Sequence, residues 1–227
     1  MLLKTQGVVL KYIKYKESSI ICKIFTRQLG VQSFILNGIR TKSSKNKIAL
    51  LQPLSLLDLV IYNSENSTIK RISEMKLSYA TKTSAFLIKK SAIILFLSEA
   101  LDKLLRESTP NEDIYDFIKD ALIDFDLATE NFDNFHLHFL LSLTSFLGIQ
   151  PMNAQEMLDN TVNNKIYFEE RELATLDSMI LNPFDVNLPL NKILRKKTLE
   201  AIINFYQCNV EGFGEIRSLK VLKDVFS

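Results

Sequence analysis

The stretch NGIRTKSSKNKIALLQP, Asn37 to Pro53, spaces four cations, Arg40, Lys42, Lys45 and Lys47, among Ser43, Ser44 and Asn46, and it contains no acid. Residues of these types serve one chemistry well. Lysine and arginine neutralise phosphates and release the counterions condensed on them, while serine and asparagine donate to phosphate oxygens without reading a base. Gly38 and the serines make the connection a flexible arm. Lys14, Lys16, Lys70 and Arg71 extend the positive set, and Tyr12, Tyr15 and Phe34 lie close to it in sequence. A positive track with aromatic rings beside it is how many proteins hold single strands of any sequence.

A second basic group, Lys192, Arg195 and Lys196, falls at steps of three and four on one helical face, with Lys197 beside it and Glu200 partly offsetting it. It reads either as a solvated face or as a site for an anionic partner. Catalytic chemistry finds no footing. His136 and His138 are two apart, so on a helix they point roughly 200° away from each other and cannot share a metal. Asp113, Asp116, Asp120 and Asp124 mark one solvated helix face, not a paired acid–base site. Cys22 and Cys208 form neither a disulfide framework nor a zinc spacing, and Cys22 reads as a small core residue. Phosphate-binding glycine loops and nucleophile elbows are absent from the sequence. The expectation is a binding protein that is not an enzyme, without metal or cofactor.

These residues must be positioned by elements, and 227 residues with 47% hydrophobic content suffice to bury a core in one large domain or two small ones. The longest apolar stretch, SAIILFLSEAL, is far short of a membrane span, and no secretory pattern opens the chain, so a soluble cytoplasmic protein is expected. The net charge of +2 conceals a split. Residues 1–80 hold 13 Lys/Arg against 4 Asp/Glu, whereas residues 81–227 hold 15 against 22. Such asymmetry points to an anionic partner for the first part, nucleic acid foremost. The competing reading is a basic half that meets the chain's own acidic half.

The first 80 residues read as five strands: LLKTQGVVLKYIKY, SSIICKIFT, VQSFIL, PLSLLDLVIYN and STIKRISEMKL. Each is rich in branched and aromatic residues, several alternate apolar with polar, and turn formers separate them. Five short strands with a long connection after the third predict a small closed barrel of the OB type. Beyond residue 80 the spacing turns helical. TSAFLIKKSAIILFLSEALDKLLRES is apolar almost all round, predicting a central, heavily buried helix. The next helix is expected to open with Thr109 as cap, Pro110 in its first position and Glu112 closing a capping box. NFDNFHLHFLLSLTSFLGIQP, RELATLDSMIL, LNKILRKKTLEAIINFYQC and SLKVLKDVF complete an α+β, two-domain reading: an OB-fold barrel over 1–80, then an all-α domain over 81–227.

Four segments in order, TQGVVLKYIKYKESSIICKIFTRQLG, NGIRTKSSKNKIALLQPLSLLDLVIY, NFHLHFLLSLTSFLGIQP and FYQCNVEGFGEIRSLKVL, resemble the RecO family of bacterial recombination mediators over nearly the whole chain. The resemblance implies the same barrel and helical domain, binding of single- and double-stranded DNA, and annealing of complementary strands. It implies partnership with RecR and with the acidic C-terminal tail of the single-stranded-DNA-binding protein, through which RecA is loaded, and hence association with the nucleoid. The family's basic barrel surface corresponds here to Arg40, Lys42, Lys45 and Lys47, with Lys14, Lys16, Lys70 and Arg71 beside them. The tail pocket corresponds to the helix FHLHFLLSLTSFLG, with Phe139 and Leu143, and Lys192, Arg195 and Lys196 as its source of positive charge. Many members carry a four-cysteine zinc module after the Leu-Gly-x-x-Pro turn; MNAQEMLDNTVNNKIYFEERELATL has no cysteine, so packing is expected to hold that segment. Two other readings stay open: an adaptor whose barrel binds acidic proteins, and an OB-type RNA binder.

Overall fold

The computed structural model describes residues 1–38, 45–63, 67–105, 109–159, 166–183 and 190–226. Five strands, β1 (Leu2–Tyr15), β2 (Ser19–Thr26), β3 (Gly30–Leu36), β4 (Leu56–Tyr62) and β5 (Ile69–Leu77), close a barrel in the order β1-β2-β3-β5-β4. Every neighbouring pair is antiparallel except β3 and β5, which run parallel. This is the OB-fold. Closure depends on β1, which pairs with β4 over Leu2–Val8 and with β2 over Gly7–Tyr15, with an irregularity between Val9 and Lys11 that turns the strand from one partner to the other. At Gly7 a Cβ would stand 2.5 Å from Ile24 Cγ2, so only glycine lets β1 lie this close to β2.

Alternation along the strands sends Val9, Ile20, Cys22, Ile24, Phe34, Leu57, Leu59 and Ile61 into one core. Burial pushes the Cys22 thiol up to about 12, so it stays protonated and inert. A short helix, α1 (Lys45–Ala49), sits between β3 and β4. It corrects the expectation of a flexible arm: Leu51 just beyond it joins the barrel core, and Ile48 and Leu50 pack against that core. The apolar IALL run therefore anchors the second half of the connection.

Seven further helices follow among the described residues: α2 (Ile88–Leu104), α3 (Glu112–Leu127), α4 (Phe135–Phe146), α5 (Ala154–Asp159), α6 (Glu170–Leu181), α7 (Lys192–Asn209) and α8 (Leu219–Val225). The chain forms two compact units, residues 1–127 with 216–227, and residues 128–215, so α2, α3 and α8 belong with the barrel rather than with the other helices.

In the first unit, α2 buries Ala92, Ile93, Phe96, Leu97, Ala100 and Leu101 on one side, but Leu87, Ile88 and Leu95 remain exposed. The expectation of an all-round buried helix is thereby corrected: β1 and α8 are its principal partners and cover one side. The helix docks on the barrel through charge as well as apolar contact. Lys11 and Lys23 reach Asp102 at 2.5 and 2.7 Å, and the Ser98 hydroxyl donates to Leu10 O. Burial pushes the Asp102 carboxyl up, but the two lysines outweigh it and the net shift is downward. In the same part of α2 Glu99 accepts from the amides of Arg217 and Ser218 at 2.9 and 2.8 Å, which fastens the entry to α8.

Helix α3 starts at Glu112, and the Asn111 side chain accepts from Ile114 N at 3.0 Å. Asn111, not Thr109, is the cap, and Pro110 lies ahead of the helix; asparagine is the stronger capping residue. The acidic face of α3 is also not merely solvated, because Arg27 on the barrel bonds Glu112 at 2.8 Å and Asp116 at 2.9 Å. At its other end α3 meets a lysine inside an apolar helix. Lys90 is wholly buried and its Nζ donates to Phe125 O, Asp126 O and Thr83 Oγ1 at 2.6, 3.0 and 2.7 Å.

In the second unit α4 packs on α7, where the Tyr206 hydroxyl donates to Leu140 O at 2.7 Å. Gly148, at φ +71, ends the α4 segment by turning the chain back so that Ile149 N reaches Thr144 O. The described residues of the segment without cysteines are held by packing and hydrogen bonds. Met157 and Phe168 are buried, Ala154 N donates to Asp177, and Glu169 and Glu172 form a capping box on α6.

His136 is wholly buried on α4, and burial, followed by the charges of Arg195 and His138, pushes its imidazole down to about 3 from 6.5. The folded value lies below the unfolded one, so between them the unfolded chain binds the extra proton. Stability from this group is complete above about 6.5 and drains as the pH falls, by up to about 1.4 kcal/mol per pH unit. Urea unfolding at pH 7 and pH 5 checks it: His136→Gln is expected to lose about 2 kcal/mol less than the parent over this interval. Equal losses would assign the acid sensitivity elsewhere.

Candidate nucleic-acid interface

The cations singled out by sequence divide into three groups. Arg40 and Lys42 lie outside the described residues, as does the Lys45 side chain, while Lys47 is exposed in the last turn of α1. Lys14 and Lys16 are exposed at the tip of the β1–β2 hairpin, where Lys16 adopts φ 52 and its ammonium stands 5.4 Å from the Tyr15 ring centroid. Lys70 is buried at the start of β5, and its Nζ donates to Asn63 Oδ1 at 3.1 Å; its neighbour Arg71 is exposed. Strand register links these groups, because Arg71 pairs with Ile35 of β3, which pairs with Ile21 of β2, which pairs with Ile13 of the hairpin.

Other cations of the barrel are occupied by the chain itself. Lys11, Lys23 and Arg27 are answered by acids of α2 and α3, so for these three of the thirteen the self-pairing reading holds. Arg27 is raised above its ordinary value, chiefly by its hydrogen bond to Asp116. Lys14, Lys47 and Arg71 project from other parts of the barrel surface.

Of the aromatic residues near the basic set, Phe34 is core, whereas Tyr12 and Tyr15 are each 39% exposed. Sequence reading missed Tyr62, 52% exposed and paired with both Arg71 and Leu2. The signal was available: an aromatic residue ending a strand just before a run of asparagine and serine.

In the second unit Phe139 and Leu143 are buried, as is every residue of α4 from His136 to Thr144, so these two side chains are core rather than an open groove. Lys192 and Lys196 are exposed. Arg195 is half-buried, and its Nε donates to Asn134 Oδ1 at 2.7 Å, which brings α7 to the start of α4. Lys197 bonds Glu172 at 2.7 Å. His136 and His138 are buried, and a ring nitrogen of His138 lies 2.9 Å from Pro183 O.

Among the described residues no group of three or more His, Cys, Asp or Glu is placed to hold a metal ion. A four-cysteine zinc site does not fit: the two cysteines of the sequence stand in the barrel core and on α7. None of the described helices is long and apolar enough to cross a membrane.

Two family models, Recombination protein O N terminal and Recombination protein O C terminal, match residues 1–80 and 86–223. The chain belongs to the RecO family. Relatives named DNA repair protein RecO are 32% identical in Flavobacterium psychrophilum, 32% in Bacteroides fragilis and 29% in Flavobacterium johnsoniae, with the whole of each chain covered. In RecO terms, the first matched segment is the barrel with its hairpin and basic connection, and the second is the helical remainder, α2 to α8.

Proposed function

We propose that this chain is a DNA-repair and recombination mediator that acts by binding, not by catalysis. In this reading residues 1–80 hold single- and double-stranded DNA through Arg40, Lys42, Lys45 and Lys47, assisted by Lys14, Lys16 and Arg71, while the buried Lys70 holds Asn63 just after β4. Neutralising phosphates without reading bases lets one protein hold two strands of any sequence and bring them into register for annealing. Residues 81–227 serve protein partners: RecR, and the acidic tail of the single-stranded-DNA-binding protein, with Lys192, Arg195 and Lys196 supplying positive charge. RecA would then be loaded on the strand so uncovered. The observation that carries this reading is an OB-fold barrel with an excess of exposed cations in a RecO-family chain.

The test is fluorescence anisotropy of a labelled single strand with the full chain across a salt series. Binding whose logarithm falls steeply and linearly with the logarithm of salt is expected. Weak binding without a slope would transfer the cations to an acidic protein partner and overturn the DNA reading.

A further inference from the structure

The paired residues Ile13, Ile21, Ile35, Arg71 and Tyr62 form one row across all five strands, and the row closes on Leu2 of β1. Directly paired residues share a face of a sheet. The adjoining residues Cys22 and Phe34 are core, so this row faces outward. Its side chains are unusually apolar for an outer wall: Ile13 is 55% exposed, Tyr62 52%, and Ile21 and Ile35 between them are half-buried. Tyr15, on the same face as Ile13, and Ile69, on the same face as Arg71, widen it. The next row, containing Lys11 and Lys23, is engaged by Asp102 of α2. The exposed wall thus begins beside the place where the helix docks. A contiguous apolar surface of this kind marks a binding site.

Charge and shape select the occupant. Arg71 stands within the row, Lys14 and Lys16 lie at its hairpin end, and Glu17 is the acid at the tip. Protein interfaces tend to be poor in charge at their centre, whereas a strand with unstacked bases presents flat apolar faces bordered by phosphates. We propose that this wall takes the bases of a single strand, with Tyr62 and Tyr15 as stacking platforms, the isoleucines as floor and Arg71 reaching the backbone. The proposal rests on the DNA-binding reading and adds a division of labour to it. Cations hold any DNA, while the wall adds affinity only where bases are unstacked, because a duplex keeps its base faces inside the stack.

The experiment compares three probes of equal length on the full chain: a labelled oligodeoxythymidylate, the same backbone carrying abasic sites, and a mixed-sequence duplex. The base-bearing strand is expected to bind more tightly than the abasic one. Tyr62→Ala and Ile13→Ser should each weaken the base-bearing strand about tenfold, leaving abasic and duplex binding and the salt slope unchanged. Tyr62→Phe, which keeps the ring, should bind as the parent does. Equal affinity of the parent for base-bearing and abasic strands, or equal losses by the variants on all three probes, would overturn the base platform alone. Unchanged binding by both variants would also overturn it and give the wall to a protein partner. Failure of the parent to bind any probe would remove the DNA-binding reading itself.

Discussion

Arg40→Ala, Lys42→Ala, Lys45→Ala and Lys47→Ala combined are expected to weaken single-strand binding by about two orders of magnitude at physiological salt, for every sequence alike. The size follows from counterion release. Each phosphate neutralised on a single strand contributes about 0.7 to the slope of log affinity against log salt, so losing four contacts flattens it by nearly 3. Fold stability should change little, because the apolar Ile48, Leu50 and Leu51 that anchor the second half of the connection are retained. Anisotropy across a salt series measures slope and affinity together. A loss confined to particular sequences would mean that the connection reads bases. An unchanged slope would mean that DNA, if it binds, lies elsewhere on the barrel.

The second large effect concerns the join between barrel and helices. The Asp126 carboxylate accepts from Lys82 N, Thr83 N, Ser84 N, the Ser84 hydroxyl and the Tyr79 hydroxyl, all at 2.7 to 3.0 Å. Burial pushes this carboxyl up, but the amides and the hydroxyl of Ser84 hold it well below the usual range. The Lys90 ammonium lies against the main-chain carbonyls of the same turn, and burial pulls it downward while Asp126 opposes that pull. Asp126→Ala would leave the buried Ser84 amide and hydroxyl and two part-buried amides without an acceptor and a buried ammonium without its counter-charge, at a cost of about 3–5 kcal/mol. That is a large part of the total stability of a domain. Urea unfolding of Asp126→Ala, Lys90→Met and the double variant would show it. The double variant should lose clearly less than the sum of the single ones, since removing the lysine removes the stranded charge. Strict additivity would show that the two groups act independently.

The barrel was legible because its strands obey a period of two and are separated by turn residues; Ile24 and Phe34 fall inward just where alternation puts them. Helix positions were legible from apolar spacing, but their environments were not. A period of 3.6 reveals which residues of α2 are apolar, not how many neighbours arrive to cover them, and so Leu95 was expected to be buried and is not. Asp126 was overlooked although it breaks a local rule, an acid in the last turn of a helix, where the macrodipole disfavours it. Lys90 broke another, a cation amid Ile88, Ala92 and Ile93. Both violations marked tertiary contacts. The row from Ile13 to Tyr62 could not be seen in the sequence at all, because it depends on the register of five strands, and register is set by closure of the barrel.

Residues 216–226 return to the unit that begins with β1, after the chain has passed through the whole of 128–215. The second unit is therefore an insertion within the first. During synthesis the barrel strands emerge early, yet the Glu99 carboxylate and the apolar side of α2 that receives α8 wait for a segment made more than a hundred residues later. Until then the nascent chain carries an uncovered helix face, and the inserted unit has time to fold before the unit that encloses it in sequence is complete. Order of emergence and order of completion are inverted in this protein.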